Sequence, residues 1–200
     1  MSRTALPRHR EVIDEPGLRF VEAFLSTSTA DGAGDKDRDQ LTSVAGAQRW
    51  LDGALRELRP VSRLTGTSGR LGRGDLDPLR TFRETLRAAF RADGPQPPDL
   101  LADYTSTVDV QWDPIAGVRY RSAVDGWRAV VGLTSVELLR AEAAGTLHRL
   151  KTCAYAPCGF PFIDQSPNTS RMWHDTKRCG NVMNLRAARA RIAKAKEEGP

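Results

Sequence analysis

The stretch CAYAPCGFPFIDQSPNTSRMWHDTKRCGN, residues 153–181, decides how this chain is read. It holds two residue pairs with the same internal spacing, Cys153-x4-Cys158 and His174-x4-Cys179, separated by 15 residues. Three thiolates and one imidazole make a closed tetrahedral site for one structural Zn²⁺, a metal that accepts sulfur and nitrogen donors with no geometric preference of its own. A catalytic zinc would keep one position open for water, whereas here four protein donors are available and no Glu or His base stands beside them. The expectation is therefore a metal-stabilised binding module and no enzyme. The chain has 3 cysteines in all. An odd count without a secretory signal is not a disulfide framework, and His174 supplies the missing fourth ligand.

Each pair ends in Cys-Gly, at Cys158-Gly159 and Cys179-Gly180. Glycine there permits a positive φ, which turns backbone N–H groups toward a thiolate sulfur. Between the pairs, Phe160 and Phe162 alternate, Ser166-Pro167-Asn168 has turn chemistry, and Arg171 to Trp173 reads as a second short strand. After Cys179-Gly180, Asn181 is a natural cap for a helix rich in Ala, Leu, Arg and Lys. The predicted order is knuckle, hairpin and helix, a small treble-clef-like finger.

Charge follows the same division. The chain carries 30 Lys+Arg against 25 Asp+Glu, a net charge of +5. Arg171, Lys177, Arg178, Arg186, Arg189, Arg191, Lys194 and Lys196 crowd one segment whose only acid is Asp175, so that segment is at +7 and the remainder at −2. An anionic partner for the C-terminal end follows, with nucleic acid the leading candidate. On a helix, Val182, Leu185, Ala188 and Ile192 share one face, which would pack on the finger hairpin and leave the basic residues outward.

The preceding residues read as a mainly α domain with one β-hairpin insert. Residues 1–17 form a loose arm broken by Pro7 and Pro16. Leu18 to Ser28 carries an apolar stripe at three- and four-residue steps, and Leu41 to Leu58 is a second helix. Asp31 to Asp39 and Gly66 to Gly74 are loops. Asp77 is placed to cap a third helix with Pro78 at its first position and a stop at Gly94-Pro95. Val108 to Trp112 and Val118 to Tyr120 flank a five-residue loop, and Val124 to Ala144 forms a fourth helix. Trp50, Trp112 and Trp127 are expected in the core, Trp173 beside the metal, and His148 in the linker. The resulting division is an arm at 1–17, a helical domain at 18–147, and the finger with its basic helix at 148–197. No apolar run approaches the roughly 20 residues that span a bilayer, which leads to the expectation of a cytoplasmic protein.

The pattern Cys-x4-Cys-x3-Phe-x-Asp-x-Ser-x4-Arg-x-Trp followed by His-x4-Cys-Gly-Asn closely resembles the finger of the CGNR zinc-finger proteins. The matching positions are Cys153, Cys158, Phe162, Asp164, Ser166, Arg171, Trp173, Cys179, Gly180 and Asn181. His174 stands where that family usually has Cys, and Val182 and Asn184 replace two positions that are commonly basic. The resemblance implies a bacterial regulator that joins this finger to an N-terminal helical domain of the ABATE type, within a family of stress-induced transcription regulators. It implies DNA as the partner, contacted through Arg171, Lys177, Arg178, Arg186, Arg189, Arg191 and Lys194. A small-molecule or protein effector at the helical domain and a homodimer are further expectations. The alternative is a zinc-stabilised module that docks an acidic protein without touching DNA.

Overall fold

The computed structural model describes residues 16–28, 39–66, 69–90 and 103–197. Residues 1–15 of the expected arm, most of the 31–39 loop and the Gly94-Pro95 stop lie outside the described residues, while Pro16 and Gly17, expected in the arm, already belong to the first helix. The fold is helix-rich, with two small antiparallel hairpins and a Cys/His cluster near the C-terminal end.

Helix α1 (Pro16–Leu25) is central and touches α2 (Val44–Leu58), α3 (Leu76–Ala89) and α4 (Trp127–Ala143). Its stripe of Leu18, Val21, Phe24 and Leu25 is completely buried, as the periodicity required. Phe24 lies 5.4 Å from both the Trp50 and Phe82 rings, joining α1, α2 and α3 in one aromatic contact. Ser43 starts α2 by accepting from the Gly46 N–H at 3.1 Å.

The start of α3 differs from expectation. Asp75, not Asp77, occupies the cap position, and Pro78 is the third helical residue. The Asp75 carboxylate accepts from the Gly72 N–H at 2.6 Å and the Trp127 N–H at 2.9 Å, so one side chain ties the approach to α3 to the first turn of α4. The entry to α4 is held by Gly126 at φ 69. Mid-helix Gly132 is a packing site: a Cβ there would sit 2.7 Å from Ser106 Oγ and 3.0 Å from Val108.

Two arginines of α3 serve the end of α1. Arg87 donates to the Leu25 carbonyl at 2.9 Å and the Ser28 carbonyl at 2.8 Å, filling acceptors that a helix C-terminus leaves open. Arg83 grips Asp39 through two bonds of 2.8 and 2.7 Å and reaches Thr27 Oγ1 at 2.9 Å. Burial would raise the Asp39 carboxyl; the Arg83 bonds and charge outweigh it and hold it below its ordinary value.

Strands β1 (Val108–Asp113) and β2 (Gly117–Ser122) form the expected hairpin, with Val110 opposite Tyr120 and Trp112 opposite Val118. The connecting loop is three residues, shorter than read, because Asp113 and Gly117 pair; Asp113 Oδ1 accepts from the Ile115 and Ala116 N–H groups. Tyr120 alone of this face is buried, its hydroxyl bonded to Glu137 and Ser62. Trp112, expected in the core, is 73% exposed. Among the described residues no element covers that end of the hairpin, and alternation cannot reveal whether a neighbour exists.

The second hairpin, β3 (Leu150–Thr152) with β4 (Pro161–Ile163), corrects the expected strand pairing. The segment around Phe162 pairs with residues before Cys153, and Arg171 to Trp173 is not a strand. The metal knuckle is thus the tip of the hairpin, and the ligand pairs do not bracket it. Its base is fastened to the helices: Leu150 lies in the main core, Thr152 Oγ1 donates to the Phe90 carbonyl, and the Ile163 N–H reaches Glu22. Among the described residues no helix is long and apolar enough to cross a membrane.

Candidate metal centre

The knuckle forms because Pro161 and Phe162 return along Thr152 and Lys151, which brings Cys153 and Cys158 to one side of a tight turn. Within it the Cys158 N–H donates to the Tyr155 carbonyl at 2.7 Å, and Gly159 adopts φ 52. That left-handed residue turns the next N–H, of Phe160, onto the Cys158 sulfur. Gly159 therefore has the conformation expected of it. Gly180 shows no positive φ, and its small size serves packing instead: a Cβ there would lie 3.1 Å from the Trp173 ring and 3.2 Å from the Thr176 methyl.

His174 and Cys179 arrive from a separate segment. The Ala154 N–H donates to the Met172 carbonyl at 2.8 Å, laying residues 171–173 beside the knuckle. Asp164, fully buried, organises the intervening loop. Its Oδ1 accepts from the Ser166 N–H (2.8 Å) and hydroxyl (2.6 Å), and its Oδ2 accepts from Lys151 Nζ (2.8 Å) and the Arg171 N–H (2.9 Å). Burial would raise its pKa, but these donors, Lys151 foremost, outweigh it and hold the carboxyl well below the usual range. Arg171 then donates from its guanidinium to the His174 carbonyl at 2.8 Å and lies over the Phe162 ring at 5.7 Å. The Phe-x-Asp-x-Ser-x4-Arg pattern is thus a scaffold that delivers His174.

Cys179 sits in a wide helical turn, Thr176–Gly180, that runs directly into α5 (Asn181–Glu197). Asp175, not Asn181, provides the cap, accepting from the Lys177 and Arg178 N–H groups at 2.8 and 3.1 Å; Asn181 is already helical.

The four donor atoms of Cys153, Cys158, His174 and Cys179 lie within 4.8 Å of one another. His174 Nδ1 is 3.3 Å from the Cys158 sulfur and 3.7 Å from the Cys179 sulfur. Around a tetrahedral zinc with bonds of about 2.3 Å to sulfur and 2.0–2.1 Å to nitrogen, sulfur and nitrogen stand about 3.6 Å apart. The three cysteines are buried. Burial, with the neighbouring thiols, pushes the Cys158 thiol up to about 12, so a buried cation is what would keep that sulfur a thiolate. Phe160 packs 4.9 Å from the imidazole, and Tyr155 and Trp173 close the remaining sides. The site is set to hold one metal ion, and its donors fit one structural zinc. His148, in a short turn at Leu147–Arg149, stands outside the group.

Residues 149–192 match the CGNR zinc finger family. No curated protein matches the chain. The span of the CGNR finger includes the whole β3–β4 hairpin, all four ligands and most of α5.

The predicted contact residues fall into two sets. Arg171 is spent on the His174 carbonyl and Phe162, and Arg186 lies over the Tyr155 ring at 5.3 Å, beside the knuckle. Lys177, Arg178, Arg189, Arg191 and Lys194 are exposed. The side chain of Lys196 lies outside the described residues. The apolar face of α5 does not pack on the hairpin: Leu185 is 53% and Ile192 59% exposed, and Val182 is open as well. The hairpin is already occupied, its base by α1 and its tip by the knuckle. Periodicity identified that face correctly and assigned it the wrong neighbour.

Proposed function

We propose that the CGNR finger binds duplex DNA through α5, with zinc acting structurally to fix the start of that helix. The observation that carries this reading is the open course of α5 from the metal centre. From Asn181 it carries Arg186, Arg189, Arg191 and Lys194 and meets no acid before Glu197, while its described side chains stay exposed or half-exposed. A helix held at one end and basic along its length can follow phosphates or enter a major groove, where Arg reads guanine edges. Val182, Leu185 and Ile192 would then meet thymine methyls or sugars. In the wider reading the protein is a cytoplasmic, bacterial-type transcription regulator. Its helical body would correspond to an ABATE-type domain that receives an effector or a second copy, and the finger would be a treble clef.

The exposed apolar row on α5 supports a second reading, in which the helix docks an acidic amphipathic protein. Salt separates the two. Zinc-loaded protein should retard duplex DNA at low salt, with log K falling linearly against log salt, and Arg189→Ala or Arg191→Ala should each reduce the slope by about 0.9 per lost phosphate contact. Failure to bind any duplex at low salt, with zinc in place, refutes the DNA reading. His174→Ala is the control for metal dependence.

A further inference from the structure

A cleft of about 610 Å³ opens between the β1–β2 hairpin and α4, remote in sequence from the finger and unused by it. One wall is the hairpin face formed by Val110, Trp112, Val118 and Tyr120; the other is Val136, Leu139 and Arg140 of α4. It is a wedge. The Tyr120 hydroxyl, bonded to buried Glu137 and Ser62, closes the narrow end, while Val110 (65%), Trp112 (73%) and Leu139 (66%) stand open at the mouth. Three large aliphatic side chains, Val110, Val118 and Leu139, and a tryptophan left to water around one concavity are what an apolar ligand requires. The volume falls in the range of about 300–1,000 Å³ typical of small-molecule pockets.

The polar groups define the ligand's head. Arg63 and Arg140 line the cleft, and no carboxylate does. Arg140 is 3.4 Å from Glu137, which offsets part of its charge. Arg63 donates to the Ala116 carbonyl, and no carboxylate of the described residues pairs with it. Its backbone has a left-handed φ of 52, uncommon for a residue with a side chain and mildly strained. That conformation is fastened by the neighbouring backbone, with the Tyr120 N–H on the Arg63 carbonyl and the Thr65 N–H on the Tyr120 carbonyl. Gly117, at φ 72, presents no side chain to the Arg63 guanidinium beside it. The fold thus holds a cation over an apolar wedge at some strain to itself.

We propose that this cleft binds an amphipathic monocarboxylate, its apolar body between Trp112 and Leu139 and its carboxylate on the Arg63 guanidinium. Charge complementarity selects an anion, and the apolar walls exclude a compact one such as phosphate or sulfate. The test titrates the full zinc-loaded chain with decanoate, with decan-1-ol and decylammonium as neutral and cationic matches, and follows the Trp112 indole N–H resonance assigned with Trp112→Phe. Decanoate should shift that resonance saturably, at least about tenfold more tightly than decan-1-ol, and decylammonium should not bind. Arg63→Gln, at an exposed side chain, should remove the advantage of decanoate over the alcohol, whereas Leu139→Gln should weaken both. Equal affinity for acid and alcohol, or an unchanged Arg63→Gln variant, overturns the proposal. So does a Trp112 resonance that moves with protein concentration alone, which would make the face an interface between two copies.

Discussion

Replacing Asp164 by Asn tests whether the finger's loop is organised by one carboxylate. The side chain is fully buried and accepts four hydrogen bonds, two on each oxygen. Asn keeps the shape but offers one acceptor oxygen and one NH2 group. Either the Ser166 pair or the Lys151–Arg171 pair then faces a donor where it had an acceptor. Leaving a buried donor unsatisfied costs about 1–3 kcal/mol, and more when it is charged, as Lys151 is. Lys151 retains the Thr169 and Arg171 carbonyls, which limits the loss. The expected destabilisation is about 3–5 kcal/mol. For a chain of this size 1 kcal/mol moves Tm by about 2–4 °C, so Tm should fall by about 10 °C. Because residues 164–171 deliver His174, zinc affinity should also drop about 10–100-fold in competition with a chromophoric chelator. A variant that melts within 2 °C of the parent and keeps its zinc affinity would refute this account of the loop.

Metal analysis should find one zinc per chain, with Cys153, Cys158 and Cys179 unreactive until a chelator is added; three freely titratable thiols in the zinc-loaded protein would contradict the site. Chelation should leave most of the helical circular dichroism, since α1 to α4 share a core that needs no metal. Gly159→Ala forces a side chain into φ 52 and should cost about 1–2 kcal/mol with weaker zinc binding, measured by melting and by chelator competition. Asp39 and Asp164 are both held below the ordinary carboxyl value of 3.8, so their contribution is complete above about pH 5 and is lost as pH falls through their lowered values. Urea unfolding between pH 5 and 2 should show that loss, and Asp39→Asn should flatten the profile; a steeper one would reverse the assigned sign.

Much of the chain follows from local chemistry. Ligand type and spacing at Cys153, Cys158, His174 and Cys179 carry the metal site, because a zinc knuckle is built within a few residues from thiolate and imidazole donors. Three-four periodicity placed α1 to α4 to within a few residues, and the charge run located the basic helix. Three features depended on tertiary neighbours. The partner of the Phe162 strand is Leu150–Thr152, because the hairpin must present its base to α1 while its tip holds two thiolates. Arg83 and Arg87 lie off the apolar stripe of α3 yet are buried, since Arg87 fills the open Leu25 and Ser28 carbonyls after α1 and Arg83 holds Thr27 and Asp39. Trp112 and the apolar row of α5 read as core and are exposed. Apolar residues at a regular period state which side of an element avoids water, and only the packed chain decides whether anything stands there to cover it.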